Sequence, residues 1–532
     1  MLGNNRKKLF EKFRSSWGQP KSEEFDFTLI DHYFRKKDHS DVLQTISNQT
    51  INDLDFYSLF KFTDRTSSKI GQQFLFDRLL TIDTVPDFDA QEQLIGHFTE
   101  NEQIRLETQC ILSRLNDNKS LNISWLFLED IIETPKSLLL IKLLSIISLL
   151  AFMALLVTPT AVAILIGLFA VNLFLHYANK KHIEKYSDSI PRFSLLCRCV
   201  RDLLKINLPT MAGTAVVSSL ESIEKIKNRM SVFTLESKQN ADPITGLLYM
   251  LIEYIKIQLL LEPIIVFSAL RHLREKRKDI QNLYEFFGRV DSAIAIASLR
   301  HGVKYYCIPQ IKNEHEGIGF NDLYHPLVPD CVANSMDTKG RSILLTGSNM
   351  SGKTTFIRSV AINTLYAQTI NTCFASSLQL SPMRIYSAIR ISDDVLSGKS
   401  YYFEEVLTIN EMVKESRVGA KTLFLLDELF KGTNTIERIA AGKAVLSYIC
   451  NNGSTVFVST HDIELTGLLN STYDLFHFTE VVVDSKVHFD YKLKSGALRT
   501  RNAIKILEIN GYPKALIEEA KEISNRIAGY SL

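Results

Sequence analysis

The residue pattern with the clearest chemical meaning begins at Gly347. Residues 347–354 read Gly-Ser-Asn-Met-Ser-Gly-Lys-Thr and fit G-x-x-x-x-G-K-[ST] without deviation. The glycines let backbone N–H groups close around phosphates, and the N-terminus of a following helix adds partial positive charge at the anion. The pattern predicts a loop that binds nucleotide phosphates and consists of Gly347, Ser348, Asn349, Met350, Ser351, Gly352, Lys353, Thr354 and Thr355.

The residues around this loop favour the same interpretation. The apolar run Ile343–Leu345 precedes it and is typical of a buried strand, and a helical pattern follows from Thr355 to Leu365. Lys353 can reach the β- and γ-phosphates, and Thr354 can ligate Mg²⁺. A chance glycine-rich turn would lack this strand–loop–helix context, so we predict ATP and Mg²⁺ as the bound groups.

Two further polar groups follow apolar runs downstream. Asp427 and Glu428 come directly after one such run, which is the Walker B pattern: Asp427 would hold Mg²⁺ and Glu428 would polarise the attacking water. Ser459-Thr460-His461 follows a second run, where a histidine can sense the γ-phosphate. A lone histidine is usually structural, but this position favours function. The predicted catalytic residues are therefore Glu428, His461 and Lys353, and the predicted metal ligands are Thr354 and Asp427.

The elements that must position these residues change character near Ile318. From there, short β-rich segments alternate with helices, and buried strands are predicted at 343–345, 422–426 and 455–458. This alternation predicts a mainly parallel sheet with helices on its faces. The preceding chain is mostly helical, and the polar phrase from Asp64 to Gly71 is typical of a helix start. We predict a basic N-terminal segment over 1–39, an all-α core over 40–310 and an α/β domain over 318–532.

An almost wholly apolar stretch interrupts the helical core between residues 138 and 177. Thr158-Pro159-Thr160 divides it into two halves, each about as long as a helix that crosses a hydrocarbon core of roughly 30 Å. The interpretation is a transmembrane helical hairpin with both ends cytoplasmic, and the alternative is a pair of buried helices in a soluble bundle. The basic residues that flank it are Lys136, Lys142, Lys180, Lys181 and Lys185.

Other parts of the chain narrow the possible functions. The net charge is only +2, so a surface for nucleic acid must be local, and the seven scattered cysteines indicate reduced thiols. Leu247–Leu270 is predicted to be a core helix because its charged residues are costly in lipid. The basic run over 271–278 indicates a solvated helix face or a contact with phosphate backbone. The basic N-terminus predicts an ordinary helix or a segment on an anionic membrane, and no signal peptide.

Several of these phrases resemble the MutS family of DNA mismatch-repair proteins. The loop Thr346–Thr355, with its Asn-Met, and the stretch Asp427–Thr435 are similar to that family's P-loop and Walker B segment. His325-Pro326 resembles the opening of the same domain, and Asp393–Ser400 resembles the signature loop, with Glu405 following. Asp64–Leu80 and Phe286–Leu299 are similar to the two ends of the family's lever region.

The resemblance implies a P-loop NTPase of the ABC type preceded by an all-α lever region. It also implies a homodimer with two composite ATP sites, in which Ser400 reaches the γ-phosphate bound by the partner. No G-x-F-x-E phrase opens the chain, so the mismatch-reading domain is not expected. Lys399 and Thr500-Arg501-Asn502 depart from the usual Arg and Ser-Tyr-Gly, and the family has no membrane segment in its lever.

The leading functional hypothesis is an ATPase that clamps a dimer on DNA, in mismatch repair or a related transaction. The alternative is a membrane-anchored ATP switch with a protein or non-mismatch client. A transporter is disfavoured because the sequence lacks L-S-G-G-Q, and an inactive scaffold is disfavoured because the reactive residues are intact. The expected location is cytoplasmic, with the ATPase anchored at the inner face of the cell membrane.

Overall fold

The computed structural model describes residues 2–85, 88–128, 138–209, 214–227, 253–348, 350–390, 401–483, 486–498 and 503–530. The chain forms two compact units. We call the first the helical unit; it comprises Met1–Asp38, Thr63–Asp77 and Asp87–His301. We call the second the sheet unit; it comprises His39–Phe62, Arg78–Pro86 and Gly302–Leu532. The sheet unit thus takes in two short segments from the region predicted to be the all-α core.

The bounds of the elements follow in chain order. The helices are α1 Leu2–Ser15, α2 Phe27–Lys36, α3 Asn48–Asp53, α4 Phe56–Thr63, α5 Lys69–Leu80, α6 Asp89–Glu100, α7 Glu102–Leu112, α8 Trp125–Leu128, α9 Leu138–Ala154, α10 Ala161–Ser187, α11 Ser189–Leu203, α12 Thr214–Lys227, α13 Leu261–Arg274, α14 Arg277–Gly302, α15 Lys353–Ile370, α16 Tyr401–Glu415, α17 Thr435–Asn451, α18 Glu464–Leu469, α19 Ala503–Ile509 and α20 Lys514–Tyr530. The strands are β1 Val42–Thr45, β2 Thr81–Asp83, β3 Gln310–Ile311, β4 Ile318–Leu323, β5 Asn334–Asp337, β6 Ser342–Thr346, β7 Ser377–Leu380, β8 Arg384–Ala388, β9 Thr422–Asp427, β10 Thr455–Ser459, β11 Tyr473–His477, β12 Glu480–Val483, β13 Lys486–Phe489 and β14 Lys494–Ser495.

A buried carboxylate from α14 caps the start of α5 in the helical unit. Asp291 accepts hydrogen bonds from the backbone N–H groups of Ser67 and Ser68, at 2.7 and 2.8 Å. Burial raises the pKa of Asp291 to about 6, although these hydrogen bonds oppose the shift. The cap satisfies N–H groups that a helix start leaves without partners. It joins the two sequence phrases that resemble the ends of the lever region.

Two glycines allow α5 and α14 to approach closely beside this cap. A Cβ added at Gly71 would lie 2.1 Å from Oδ2 of Asp291, and one added at Gly288 would lie 2.5 Å from Cγ of Phe74. Each glycine therefore faces a side chain of the other helix, and neither site has room for a methyl group. The contact depends on the absence of side chains at both positions.

The apolar stretch forms two packed helices, α9 and α10, as the hairpin prediction requires. Asn172 is fully buried and donates through its amide to the Ser148 hydroxyl, at 3.0 Å, and to the carbonyl of Gln258, at 2.7 Å. Among the described helices, only α10 is long and apolar enough to cross a bilayer, over Ala161–Ala178, while α9 has 17 residues. The crossing of a membrane stays a prediction.

The predicted continuous helix over 247–270 is wrong in its described part. Residues 253–258 are helical, but Leu260 has a φ of 47°, and α13 begins only at Leu261. The carbonyl of Gln258 accepts a hydrogen bond from Asn172, which takes it from the helical ladder and accounts for the break. Residues 247–252 lie outside the described part of the chain.

A six-stranded sheet forms the centre of the sheet unit, in the order β14-β11-β6-β10-β9-β8. The strands from β11 to β8 are parallel, and β14 pairs antiparallel with β11 at one edge. Their apolar runs explain the burial, since β6, β9 and β10 lie in the core and are covered by helices. The strands predicted at 343–345, 422–426 and 455–458 are confirmed.

A second sheet, in the order β3-β7-β4-β5, lies in the same unit. Helix α15 contacts β4 from this sheet as well as β9 and β10 from the first. Nearly all of α15 is buried, which fixes the helix that begins at Lys353. Strands β1 and β2 form an antiparallel pair of their own within the region predicted to be helical.

We predict that Gly71→Ala destabilises the protein by about 2–3 kcal/mol, because the new methyl group would overlap the Asp291 carboxylate. The matched control is Gly96→Ala in α6, where no atom lies within 4 Å of the added Cβ. Alanine there should stabilise the helix by about 0.5–1 kcal/mol. Thermal and urea unfolding of both variants measure the difference, and equal shifts would contradict the close approach of α5 and α14.

Candidate functional site

The phosphate-binding loop joins β6 to α15 and has the backbone that its glycines predict. Gly347 has a φ of 148°, and a Cβ there would lie 2.6 Å from the carbonyl oxygen of Phe478. Gly352, at the N-cap of α15, has a φ of 106°. Met350 also has a positive φ, 68°, and its side chain is exposed. The loop thus presents the start of a buried helix to a ligand.

Lys353 is folded back onto this loop. Its Nζ donates to the carbonyl oxygens of Gly347, at 2.7 Å, and Ser348, at 2.9 Å, and the residue is 5% exposed. Burial lowers the pKa of Lys353, while the carboxylates of Asp427 and Glu428 oppose the shift. The ammonium group therefore rests on weak neutral acceptors that an anionic phosphate can replace.

Thr354 and Asp427 meet as the sequence predicts. The Thr354 hydroxyl donates to Oδ2 of Asp427 at 2.7 Å, and the Ser459 hydroxyl contacts the other carboxylate oxygen. The parallel register of β9 and β10 places Ser459 beside Asp427 at the same end of the sheet. A hydroxyl and a carboxylate are the oxygen ligands that Mg²⁺ prefers, so this pair of side chains fits magnesium.

Glu428 and His461, two of the predicted catalytic residues, contact each other. Nε2 of His461 lies 2.9 Å from Oε1 of Glu428, and Nζ of Lys431 lies 3.1 Å from Oε2. The hydrogen bond from His461 is the main reason that the pKa of Glu428 is lowered to about 2. Glu428 also has a φ of 53°, a strained conformation of the kind that concentrates at active sites. The carboxylate is therefore ionised and held in place.

Glu405 contributes from behind the loop that follows Glu428. It is buried, and its Oε1 accepts the backbone N–H of Phe430 at 2.5 Å. Burial raises the pKa of Glu405, and this hydrogen bond opposes the shift. Two predicted site residues, Asn349 and Ser400, lie outside the described residues, as does the rest of the stretch 393–399.

The remaining predicted loop residues have structural contacts. The Ser351 hydroxyl donates to the carbonyl of Ser348 at 2.8 Å and closes the loop on itself. The carbonyl of Thr355 accepts the Ser359 hydroxyl at 2.8 Å inside α15. His325 is buried, and burial lowers its pKa to about 4, so the histidine of the His-Pro phrase is neutral. These contacts stabilise the shape of the loop and its surroundings.

A cavity of about 500 Å³ opens beside the phosphate-binding loop. Its lining includes Lys353 and Thr354 together with Val328, Val332 and Tyr491. Asn334 fixes the tyrosine segment, because its amide donates to the carbonyl of Tyr491 at 3.1 Å. An apolar and aromatic wall next to a phosphate site can accommodate a nucleoside.

Sequence reasoning missed one carboxylate in this site. Glu480, at the start of β12, is 6% exposed and accepts the Ser348 hydroxyl at 2.5 Å. It belongs to no motif, and only the pairing of β11 with β6 brings the following chain against the loop. No local signal in the sequence could have found it.

Comparison with known proteins agrees with this geometry. Residues 343–528 match the family model of MutS domain V. The chain is 31% identical over 277 residues to the DNA mismatch repair protein MutS of Clostridium tetani, which covers 49% of this chain and 31% of that protein. It is 32% identical over 265 residues to MutS of Pseudothermotoga lettingae, covering 47% and 32%. The chain thus spans about a third of the length of these relatives.

We predict that Glu428→Gln leaves nucleotide binding intact but lowers nucleotide hydrolysis at least about 100-fold, because the charge that polarises the attacking water is lost. With its pKa held at about 2, Glu428 is ionised throughout the pH range of an assay. Single-turnover hydrolysis and binding of a fluorescent nucleotide separate the two effects. Near-normal turnover would contradict the role of Glu428.

Proposed function

We propose, from the match of residues 343–528 to MutS domain V and the similarity to MutS proteins over about half of the chain, that this protein belongs to the MutS family. We infer that it is an ATPase whose nucleotide cycle closes and opens a dimer on DNA. The observation that supports this most strongly is the convergence of Lys353, the Thr354–Asp427 pair and the Glu428–His461 pair at one edge of the six-stranded sheet. Each pair combines groups from segments that are far apart in the sequence: Thr354 is in α15, Asp427 ends β9 with Glu428 directly after it, and His461 follows β10.

Phosphate binding begins at the loop from Gly347 to Lys353. The backbone N–H groups and the start of α15 attract the triphosphate. Lys353 then exchanges its contacts with two carbonyl oxygens for the β- and γ-phosphates, which are charged and so bind the ammonium group more strongly. The nucleoside enters the cavity beside Tyr491.

Thr354 and Asp427 are the residues that would hold Mg²⁺. When bound, the ion supplies positive charge that stabilises the transferring phosphoryl group. Among the described residues, no group of three or more His, Cys, Asp and Glu side chains could bind a metal by itself. This agrees with an ion that takes most of its ligands from phosphate and water.

Glu428 and His461 act on the attacking water. The carboxylate accepts a hydrogen bond from the water and orients its lone pair toward the γ-phosphate. His461 holds the carboxylate at 2.9 Å, and Lys431 contacts its other oxygen, so the base cannot rotate away. This arrangement converts bound ATP to ADP and phosphate.

The dimer and its composite sites are inferred from the resemblance of Asp393–Ser400 to the signature loop of the MutS family. We assign Ser400 to the γ-phosphate that the partner subunit binds, so each site is complete only when two chains meet. ATP binding then closes the dimer, and hydrolysis opens it. The lever helices of the helical unit would carry this change to DNA, in mismatch repair or a related transaction.

Contact with DNA is assigned mainly to the phosphate backbone. The basic run at the end of α13 and the start of α14 includes Arg271, Arg274 and Lys278, which are exposed. Contacts of this kind carry little sequence information and weaken steeply as salt rises.

An anchor in the cytoplasmic membrane is a second part of the proposal. The alternative function depends on this anchor: a membrane-anchored ATPase switch that acts on a non-mismatch or protein client. The exposed apolar side chains of α9 and α10 favour it: Leu139 is 79% exposed, Ile166 67% and Phe174 72%. Only 22% of the apolar window in α10 is buried. Monomeric soluble proteins rarely leave long apolar helices exposed to water, and lipid would cover these side chains. The ATPase would then face the cytoplasm.

The ATPase activity of the purified protein, with and without homoduplex, mismatched and branched DNA, tests the DNA hypothesis. We expect basal hydrolysis that at least one of these DNAs stimulates several-fold and that falls as salt rises. Lys353→Ala should abolish turnover and strongly weaken nucleotide binding, because the ammonium group assigned to the β- and γ-phosphates is lost. Basal turnover with no response to any DNA would favour the non-DNA client.

Washing membranes with high salt and with carbonate tests the anchor. The protein should stay in the membrane fraction, since apolar contact with lipid does not weaken with salt. Leu150→Lys, at a site that is 59% exposed in α9, should weaken retention, because a charge near the bilayer centre costs about 2.5–3.5 kcal/mol. The matched control is Leu516→Lys in α20, at a site that is 42% exposed. Full release by salt would contradict the anchor.

A further inference from the structure

Side chains from residues 44–53 cover the outer edge of β8, the last strand of the six-stranded sheet. The Gln44 amide pairs with Ile385 in both directions: its Nε2 donates to the carbonyl at 2.8 Å, and its Oε1 accepts the N–H at 2.7 Å. The Thr50 hydroxyl accepts the N–H of Ser387 at 3.2 Å. These side chains take the place of a seventh strand and satisfy an edge that would otherwise be open.

Asp53 continues this edge beyond the end of β8. It is fully buried, and its carboxylate accepts the Ser387 hydroxyl at 2.6 Å. The same carboxylate accepts the N–H groups of Ile389, at 3.0 Å, and Arg390, at 2.7 Å. A buried carboxylate with these donors is well satisfied, so it fixes the backbone up to residue 390.

Asp55, two residues later, binds two arginines from different elements. Its Oδ2 accepts Nη1 of Arg358 in α15 at 3.1 Å, and its Oδ1 accepts Nη1 of Arg390 after β8 at 2.6 Å. The backbone of Asp55 has a φ of 51°, in the left-handed region that aspartate tolerates better than most residues. One carboxylate therefore joins the helix of the phosphate-binding loop to the end of the edge strand.

Arg358 connects this contact to the reactive groups. It follows Lys353 in the same helix, and its side chain is 12% exposed. Burial lowers the pKa of Arg358, the nearby Arg390 lowers it further, and Asp55 and Asp427 are among the carboxylates that oppose the shift. The charge on Arg358 is thus felt both at Asp55 and at the predicted metal ligand Asp427.

The contact depends on charge more than on packing. The Asp55 side chain is 42% exposed, so its removal would change the buried apolar area only slightly. Without its negative charge, Arg358 and Arg390 would repel each other, and the more exposed Arg390 would be free to move away. The end of β8 would then lose the attachment that Asp55 makes through the Arg390 side chain.

We propose that Asp55 is a positioning residue for the ATP reaction, which holds α15 and the end of β8 at one fixed spacing through Arg358 and Arg390. This rests on the proposed ATPase function and adds to it a residue that lies far from the motifs in sequence. When the loop rearranges around ATP, the start of α15 and the end of β8 move together. Asp55 touches neither substrate nor metal, and acts only through the two arginines.

Asp55→Asn tests this role against a matched exposed ion pair in the same unit. The control is Asp474→Asn, since Asp474 lies 2.6 Å from Arg341 and is 40% exposed. We expect Asp55→Asn to lower kcat about tenfold while KM for ATP changes less than about twofold, and Asp474→Asn to change neither. Asp55→Glu should restore most of the lost kcat, which a purely structural loss would not predict.

A double-mutant cycle keeps the test decisive if Asp55→Asn folds poorly. Arg390 is 55% exposed, so Arg390→Gln should fold, and it should lower kcat by the same route. The double variant should be no slower than the slower single variant, because both remove one contact. Unchanged kcat in Asp55→Asn and Arg390→Gln, or an equal loss in Asp474→Asn, overturns the proposal. If Lys353→Ala abolishes turnover while the Asp55 test fails, the proposed ATPase function is supported and only the role of Asp55 is wrong. If the wild-type protein does not hydrolyse ATP, the proposed function itself is wrong.

Discussion

The register of three parallel strands is the constraint on which the candidate site depends. Strands β6, β9 and β10 end at Thr346, Asp427 and Ser459, and pairing places Ser459 opposite both Asp427 and Leu345. Parallel strands bring their carboxyl ends to the same edge of the sheet. The loop, the acidic pair and the histidine therefore meet at this edge although they are far apart in the sequence. A slip of one residue would turn Asp427 to the opposite face of the sheet and separate it from Thr354.

The electrostatics of the site follow from this edge. Three carboxylates lie near Lys353, and a triphosphate brings further negative charge to the same place. The lysine, the helix start and the donors around Glu428 supply the opposing charge. Glu480 is one of the three carboxylates, and the Ser348 hydroxyl of the loop donates a hydrogen bond to it. The site is thus a balance of charges, in which the positions of the cations would determine where the proposed nucleotide binds.

Much of this site could be predicted from the sequence because its motifs are local. The phosphate-binding loop, the acidic pair and His461 each follow an apolar strand, and a strand of this kind can be read from a few residues. Glu480 and Asp55 could not be predicted, since each meets the site only through the pairing of distant segments. The break at Leu260 was missed for the same reason, because its cause is the amide of Asn172 in another helix. The hairpin was found from composition alone, but composition does not determine what covers it.

The covering of β8 by Gln44, Thr50 and Asp53 has a consequence for the order of folding. Gln44 and Ile385 are 341 positions apart, so the early segment leaves the ribosome long before the strand it completes. A contact at this separation closes a very long loop, and such topologies form slowly. The sheet unit therefore reaches its final state only after synthesis has passed through the whole helical region, and a contiguous C-terminal piece of the chain would lack two of its segments.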